Sequence, residues 1–258
     1  MVVALNEIQN QPTGTLIAHC GTSLITRADL ANLPVPAATR THKPIAHSEI
    51  VNALVETLGF RHIGVVRDEY AVSDDGMRMF GVLDLDYEYH DVRFSIGIRN
   101  ANDKSMRLAM TIGYRVFVCD NMAFKGDFQP VFAKHSNKLD LIDTLSIGVD
   151  KMHRNFDPLK HQLGAWRTHQ LSDTDAKMIL YEAFVEGKLE VPNVIKDVHD
   201  LYFEPIYDDF RPRNLWSLSN AFTSAFKNLK PFQQFKSTAK LSPFLERFAK
   251  PCTTLNVV

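Results

Sequence analysis

The chain has 258 residues, of which 45% are hydrophobic and 23% are charged, and its formal net charge is -1. This composition is that of a globular protein with enough residues for one large core, and it argues against extended disorder. The near-neutral total also argues against a chain that is basic throughout, although its basic residues are unevenly placed.

The three cysteines, Cys20, Cys119 and Cys252, are widely spaced. An odd number at such spacing argues against a disulfide framework and against a zinc cluster built on paired cysteines, and it favours a reducing compartment. Residues 1–10 lack the basic and apolar parts of a signal peptide, and no apolar run approaches the roughly 18 residues that span a bilayer. We therefore predict a cytoplasmic protein with no membrane partner and no cofactor.

The N-terminal part of the chain divides into a leader and a helix. Residues 1–46 contain four prolines and little periodicity, which predicts an irregular leader. A helix is expected to begin at Ser48, whose hydroxyl can cap free N–H groups, and to end at Gly59. Its apolar residues recur at helical spacing, so one face should be buried.

Four β-strands follow, over residues 61–72, 77–89, 92–98 and 106–119. A turn at residues 73–76 joins the first two, and a polar loop at residues 99–105 joins the last two. Short connections predict an antiparallel meander, with alternate side chains on opposite faces. Six apolar residues should be buried, namely Leu83, Leu85, Ile96, Ile98, Ile112 and Val116, whereas Asp84, Asp86 and Arg93 should be exposed.

From residue 139 the apolar period becomes helical. Helices are predicted from residue 139, after Pro158, over residues 176–186 behind an N-terminal signal at Ser172, and over residues 216–229. The predicted fold class is α+β, with an N-terminal helix, an antiparallel β-meander and a helical C-terminal half. We assign residues 47–230 to this core domain and residues 231–258 to a basic and aromatic tail.

Three stretches resemble a known family. Residues 95–105, residues 112–121 and residues 214–226, the last with its Leu-Trp, Asn-Ala and Thr positions, are similar to the phage- and plasmid-like family of uncharacterised proteins from bacterial mobile elements. The resemblance implies a phage or plasmid context and no particular chemistry. The layout of helix, meander and helices is also similar to that of single-strand annealing recombination mediators, whose ring-forming members bind DNA in a basic groove.

The strongest functional signal is a charge gradient. Residues 211–250 contain eight basic residues and one acidic residue, which gives this stretch a charge of +7. Lysines interleaved with phenylalanines can follow phosphates while the rings stack on bases. The predicted nucleic-acid-binding residues are Lys227, Lys230, Phe232, Phe235, Lys236, Lys240, Arg247 and Lys250, with Arg99, Lys104 and Arg107 from the sheet region. Alternatively, the phenylalanines pack on the protein body or on a second subunit.

A weaker signal lies in the second long strand, where Asp84, Asp86 and Glu88 share one face. Three carboxylates could hold a divalent metal ion for phosphodiester cleavage. Pairing with Lys104, Arg107 or Arg115 on a neighbouring strand or loop is the alternative that the pattern favours.

These signals lead to one leading function and two alternatives. The leading prediction is a non-catalytic nucleic-acid-binding protein that prefers single-stranded DNA, takes part in replication, recombination or repair, and can form homo-oligomers. One alternative is a metal-dependent nuclease. The other is an interaction or regulatory protein that binds a host factor. No complete catalytic signature is found in the sequence, so the prediction leans away from an enzyme.

Overall fold

The computed structural model describes residues 23–117, 122–124, 128–185, 189, 192–229 and 231–249, and for residues 122, 124, 192, 231–236 and 239 it describes the backbone alone. The strands are β1 (Ser23–Ile25), β2 (Val65–Val72), β3 (Arg78–Tyr89), β4 (Val92–Ala101), β5 (Leu108–Val116), β6 (Met122–Phe124) and β7 (Val131–Ala133). The α-helices are α1 (His47–Gly59), α2 (Leu141–His153), α3 (Phe156–Thr168), α4 (Asp173–Leu180), α5 (Ile195–Phe203), α6 (Leu215–Phe226) and α7 (Pro231–Glu246). The predicted α+β class is confirmed.

The strands form one antiparallel sheet in the order β1 to β6, and β7 pairs with the other half of the β5 edge. The predicted meander is therefore confirmed. The turn between β2 and β3 is closed by the Ser73 N–H, which donates to the Arg78 carbonyl at 3.0 Å. Gly76 in this turn has a φ of 68°, a left-handed conformation that glycine adopts without steric cost.

The first face of the sheet forms the core with the helices. The six apolar residues predicted to be buried all lie on it and are fully buried. Large aromatic residues of the helices, such as Trp166 and Trp216, belong to the same cluster. On the second face, a smaller apolar cluster contains strand residues alone: Ala71, Phe80 and Val82, with Leu24 beside them.

Strand and helix boundaries differ from the predictions in ways that matter for the site. Strand β4 continues to Ala101, so Arg99 lies within a strand. The polar loop therefore begins after residue 101 and not at residue 99, where it was predicted. Cross-strand pairing explains the extension, because Arg78 and Phe80 of β3 lie opposite Ala101 and Arg99. Helix α1 begins at His47, and its N-cap residue Ala46 provides no side-chain hydrogen bond, so the predicted cap at Ser48 is wrong.

The later helices follow the sequence signals more closely. Ser172 and Asp175 form a capping box at the start of α4, and the helix continues as a π-helical turn over Tyr181–Val185. Helix α6 begins behind Asn214, whose side chain accepts the Ser217 N–H. Residues 118–121, at the predicted end of the longest strand, lie outside the described residues. Among the described helices, none is both long and apolar enough to cross a membrane.

The segments predicted as leader and tail both contain regular structure. In the leader, β1 pairs with β2, and Leu30 packs with Val51 of α1. In the tail, α7 contributes Leu241, Phe244 and Leu245 to the main core cluster. Residues 1–22 and 250–258 lie outside the described part of the chain.

Candidate nucleic-acid interface

Asp84 was expected on an exposed strand face, and the structure corrects this. Its side chain is only 2% exposed. Its carboxylate accepts the Ser95 hydroxyl at 2.6 Å and lies 2.9 Å from Arg115 Nε. Arg115 is also buried, and its Nη2 atom forms a second ion pair at 2.6 Å with Glu69 of β2. The carboxylate is therefore satisfied by an ion-pair network inside the second sheet face, as the charge-pairing alternative predicted.

The other two carboxylates of the predicted metal set lie apart from Asp84. Asp86 is exposed, and its backbone N–H donates to the Gly64 carbonyl at 2.8 Å. Glu88 forms an ion pair with Arg93 of β4, which is half-buried and not fully exposed as predicted. The β3–β4 register shifts between Asp84 and Glu88, which separates the three side chains. Within the described residues no group of three or more His, Cys, Asp or Glu side chains is arranged to hold a metal ion.

The cations predicted in the C-terminal region do not gather into one surface among the described side chains. Lys227 is exposed at the end of α6, and Lys240 is half-buried on α7. Arg247 donates to Glu182 at 3.0 Å and stacks over the Phe244 and Phe248 rings. Lys230 and Lys250 lie outside the described residues, as do the side chains of Phe232, Phe235 and Lys236.

The described phenylalanines of this region are packing residues. Phe226 and Phe244 are buried in the main core, and Phe248 packs against it. For Phe226 and Phe244 the packing alternative is confirmed, because a buried ring cannot stack on a base, and Phe248 is partly buried against the same core.

A different basic surface forms at one end of the sheet, where three chain segments meet. Lys43 N–H donates to the His135 carbonyl at 3.2 Å, and Asn137 Nδ2 donates to the Arg40 carbonyl at 2.9 Å. These bonds join residues 40–43 to residues 132–138. The latter segment includes β7, which pairs with β5, and β5 pairs with β4.

We call this the basic surface. It is defined by the cations of the three segments: Arg40, Lys43, Arg99, Lys104, Arg107, Lys134 and Lys138. All except the half-buried Arg99 are exposed. The acidic residue within the same segments, Asp103, pairs with Arg78 at 3.1 Å. In the described part of the chain, none of the seven cations forms an ion pair with a carboxylate, although Glu49 and Asp140 line the same cavity as Lys43.

An aromatic side chain lies beside these cations. Phe132 of β7 is 51% exposed, and the Arg107 guanidinium lies 4.6 Å from the centre of its ring. Opposite the Phe132 position, β5 presents Ala109, and the next strand presents Arg99. Only the small Ala109 side chain lies between Arg99 and Phe132 in this row, and the buried Phe80 of β3 lies on the other side of Arg99.

The Arg99 guanidinium is partly buried and has no carboxylate partner among the described residues. Its Nε atom is buried and makes no hydrogen bond within the described residues. Partial burial lowers the pKa of its guanidinium. Desolvation without a counter-charge disfavours the charged form, so a bound phosphate would supply the missing partner.

A buried polar network lies beneath the basic surface. Asn100 Nδ2 donates to His47 Nδ1 at 2.9 Å and to the Ile45 carbonyl at 3.1 Å, while its Oδ1 accepts from His135 Nε2. His47 Nε2 donates to the Gly76 carbonyl at 3.0 Å. Next to it, Asn102 Oδ1 accepts the Ile45 N–H at 3.1 Å. The network ties the same three segments together from inside.

The sequence predicted three members of the basic surface, Arg99, Lys104 and Arg107, and missed the others. Arg40 and Lys43 lie more than ninety positions from the residues that they meet. Phe132 lies in a strand of three residues and Lys134 directly follows it, and a strand this short gives no distinct alternation in the sequence.

Comparison with known proteins gives no relative: no family model, no curated protein and no solved structure matches the chain. The resemblance to the phage- and plasmid-like family therefore stays a prediction.

Proposed function

We propose that this protein binds nucleic acid without cleaving it, and that the basic surface is the interface. The observation that supports this is the group of seven cations without an ion-paired carboxylate on three neighbouring segments, of which Arg107 lies against the exposed Phe132 ring. Such cations bind backbone phosphates and release condensed counterions, which provides most of the affinity for nucleic acid.

A single strand is the favoured substrate. Phe132 is backed by Arg107, and a ring with one face exposed can stack on an unpaired base of any sequence. Bases in a duplex are already stacked on each other and are not available to such a ring. Arg99, two β-strands away from Phe132, would then bind the phosphate backbone of the same nucleic-acid strand.

Replacing Phe132 with alanine tests the interface. We expect the affinity for a single-stranded oligothymidylate to fall by about 1 to 3 kcal/mol, the usual contribution of one stacked base. The affinity for a duplex of the same length should change little. Fluorescence anisotropy with a labelled oligonucleotide measures both.

The matched control is Phe60→Ala, because Phe60 is 76% exposed and lies after α1, outside the three segments of the basic surface. This variant should bind as the wild type does. Equal losses in the two variants, or no binding by the wild type at low salt, would refute the proposed function.

A protein partner is the second candidate. Met178, Tyr181 and Val185 are exposed apolar residues at successive helical turns of α4 and the π-helical turn. An apolar stripe of this kind is typical of a surface that another protein covers. It supports the alternative of an interaction protein that binds a host factor. The nuclease alternative has no comparable support, because Asp84 and Glu88 are paired with arginines.

Context and assembly complete the proposal. The family resemblance supports a role in the replication, recombination or repair of a phage or plasmid, and the small, odd number of widely spaced cysteines supports a cytoplasmic location. Homo-oligomers would place several basic surfaces along one strand. Particle mass in solution, with and without single-stranded oligonucleotide, measures this directly.

A further inference from the structure

The basic surface is assembled from segments that are distant in sequence, and the buried network is what joins them. Asn100 is fully buried at the end of β4, between His47 at the start of α1 and His135 after β7. Arg99, the next residue, points to the opposite face of the strand.

The hydrogen bonds of the network fix His47 in a neutral form, whereas His135 donates through Nε2 to Asn100 Oδ1. The Asn100 amide orientation is set because its Nδ2 must donate to the Ile45 carbonyl. The same Nδ2 donates to His47 Nδ1, so this ring nitrogen is an acceptor and has no proton. A proton added to His47 Nδ1 would oppose the Asn100 N–H group and break the bond.

We propose that this network of His47, Asn100 and His135 is a proton-sensitive clamp, which holds the basic surface together when His47 is neutral and releases it when His47 is protonated. The clamp regulates the proposed nucleic-acid interface and, in that respect, rests on the proposed function.

The surroundings of the histidines support this behaviour. Burial lowers the pKa of His47, and burial together with the neighbouring His42 and His47 lowers the pKa of His135 to about 4. His42 contacts the His135 ring edge-on at 5.6 Å. The charged residues on the adjoining segments, Lys43, Glu49 and Lys134, have exposed side chains, and Asp103 is paired with Arg78. No carboxylate among the described residues acts on His135 to stabilise its charged form.

The sign of the effect follows from linkage. A released histidine has a pKa near 6.5, above the pKa that it has in the closed clamp. The clamp is therefore fully stable above about pH 6.5 and loses stability as the pH falls toward the pKa of the buried rings. Acid thus opens it.

Oligonucleotide binding at two pH values tests the clamp. Oligothymidylate affinity of the wild type should fall by about tenfold from about pH 7.5 to about pH 4.5, a change of about 1.4 kcal/mol. Simple electrostatics predicts the reverse, because acid adds positive charge to the protein. The variant with His47→Gln and His135→Gln keeps one donor and one acceptor at each site but cannot be protonated, so its affinity should not fall. The control His161→Gln, at an exposed helix position, should behave as the wild type does.

Hydrogen exchange provides a second measurement that needs neither nucleic acid nor a variant. The N–H groups of Lys43 and Ile45 bond to the His135 carbonyl and to Asn102 Oδ1, so their protection should be lost at about pH 4.5 while that of β3 and β4 remains.

Unchanged protection of these two amides would overturn the clamp, as would wild-type affinity that stays constant or rises in acid. An equal fall in the double variant would also overturn it. Absence of oligonucleotide binding at every pH would refute the proposed function, and the exchange experiment would then decide on the clamp alone.

Discussion

Replacing Arg115 with alanine is expected to lower the free energy of unfolding by about 3 to 5 kcal/mol. Arg115 is the partner that allows Asp84 to be charged inside the second sheet face, since Asp84 is almost completely buried. Without the guanidinium, the carboxylate retains the Ser95 hydroxyl but loses its ion-pair partner, while Arg67, opposite Asp84 on β2, is paired with Glu69. A buried charge that loses its partner is strongly destabilising. Urea unfolding at neutral pH measures the difference.

The matched control is Arg93→Ala. Arg93 also pairs with a carboxylate across the β3–β4 ladder, but Glu88 lies at the surface, so this variant should lose at most about 1 kcal/mol. The combination of Arg115→Met with Asp84→Leu removes both buried charges and should recover most of the stability. If Arg115→Ala costs as little as Arg93→Ala, then water reaches Asp84 and the network is not a buried one.

Removing four cations of the basic surface should have the largest effect on binding. In the variant with glutamine at Arg40, Lys43, Lys134 and Lys138, the slope of log affinity against log salt should flatten by about 0.7 per lost phosphate contact, or about 2.8 in total. At about 50 mM salt this corresponds to a loss of affinity on the order of a thousandfold. Anisotropy titrations at several salt concentrations give the slope directly.

A variant with the same loss of charge elsewhere is the control. Glutamine at Lys151, Arg154, Lys177 and Lys196 also removes four exposed cations, all of them on the helical side of the protein. Its slope should stay close to that of the wild type. Equal flattening in both variants would mean that net charge alone drives binding and that the basic surface is not the interface.

The sequence predicted the architecture well, because hydrophobic alternation and turn residues are local signals. The register of the long strands follows from Leu83, Ile96 and Ile112, which can only face the core together. The prediction that Asp84 is exposed was wrong. Alternation assigned it correctly to the second face, but that face was assumed to be exposed. Its burial depends on Arg115, 31 positions later, and no local pattern reports such a pair.

The site was less predictable than the fold. Arg99 was placed in a loop because the polar residues after it look like a turn, whereas pairing with β3 extends the strand. The tail was predicted from composition, which cannot distinguish a phenylalanine that stacks on a base from one that packs, as Phe244 does. The segments of Arg40 and Lys138 are joined by hydrogen bonds between residues more than ninety positions apart, and no local pattern in the sequence indicates such bonds.

The arrangement of the basic surface has a consequence for the order in which the molecule is built. The meander from β2 to β5 joins neighbours in the chain, so its hairpins need only short loops to close. Residues 40–43 and residues 132–138 are instead in direct contact, although almost the whole sheet lies between them in the sequence. A nascent chain that ends after β5 contains every residue of the four long strands, yet it lacks Phe132, Lys134, His135 and Lys138. Any affinity for nucleic acid that depends on this surface is therefore acquired after the meander has been synthesised, when the last of its segments joins the sheet.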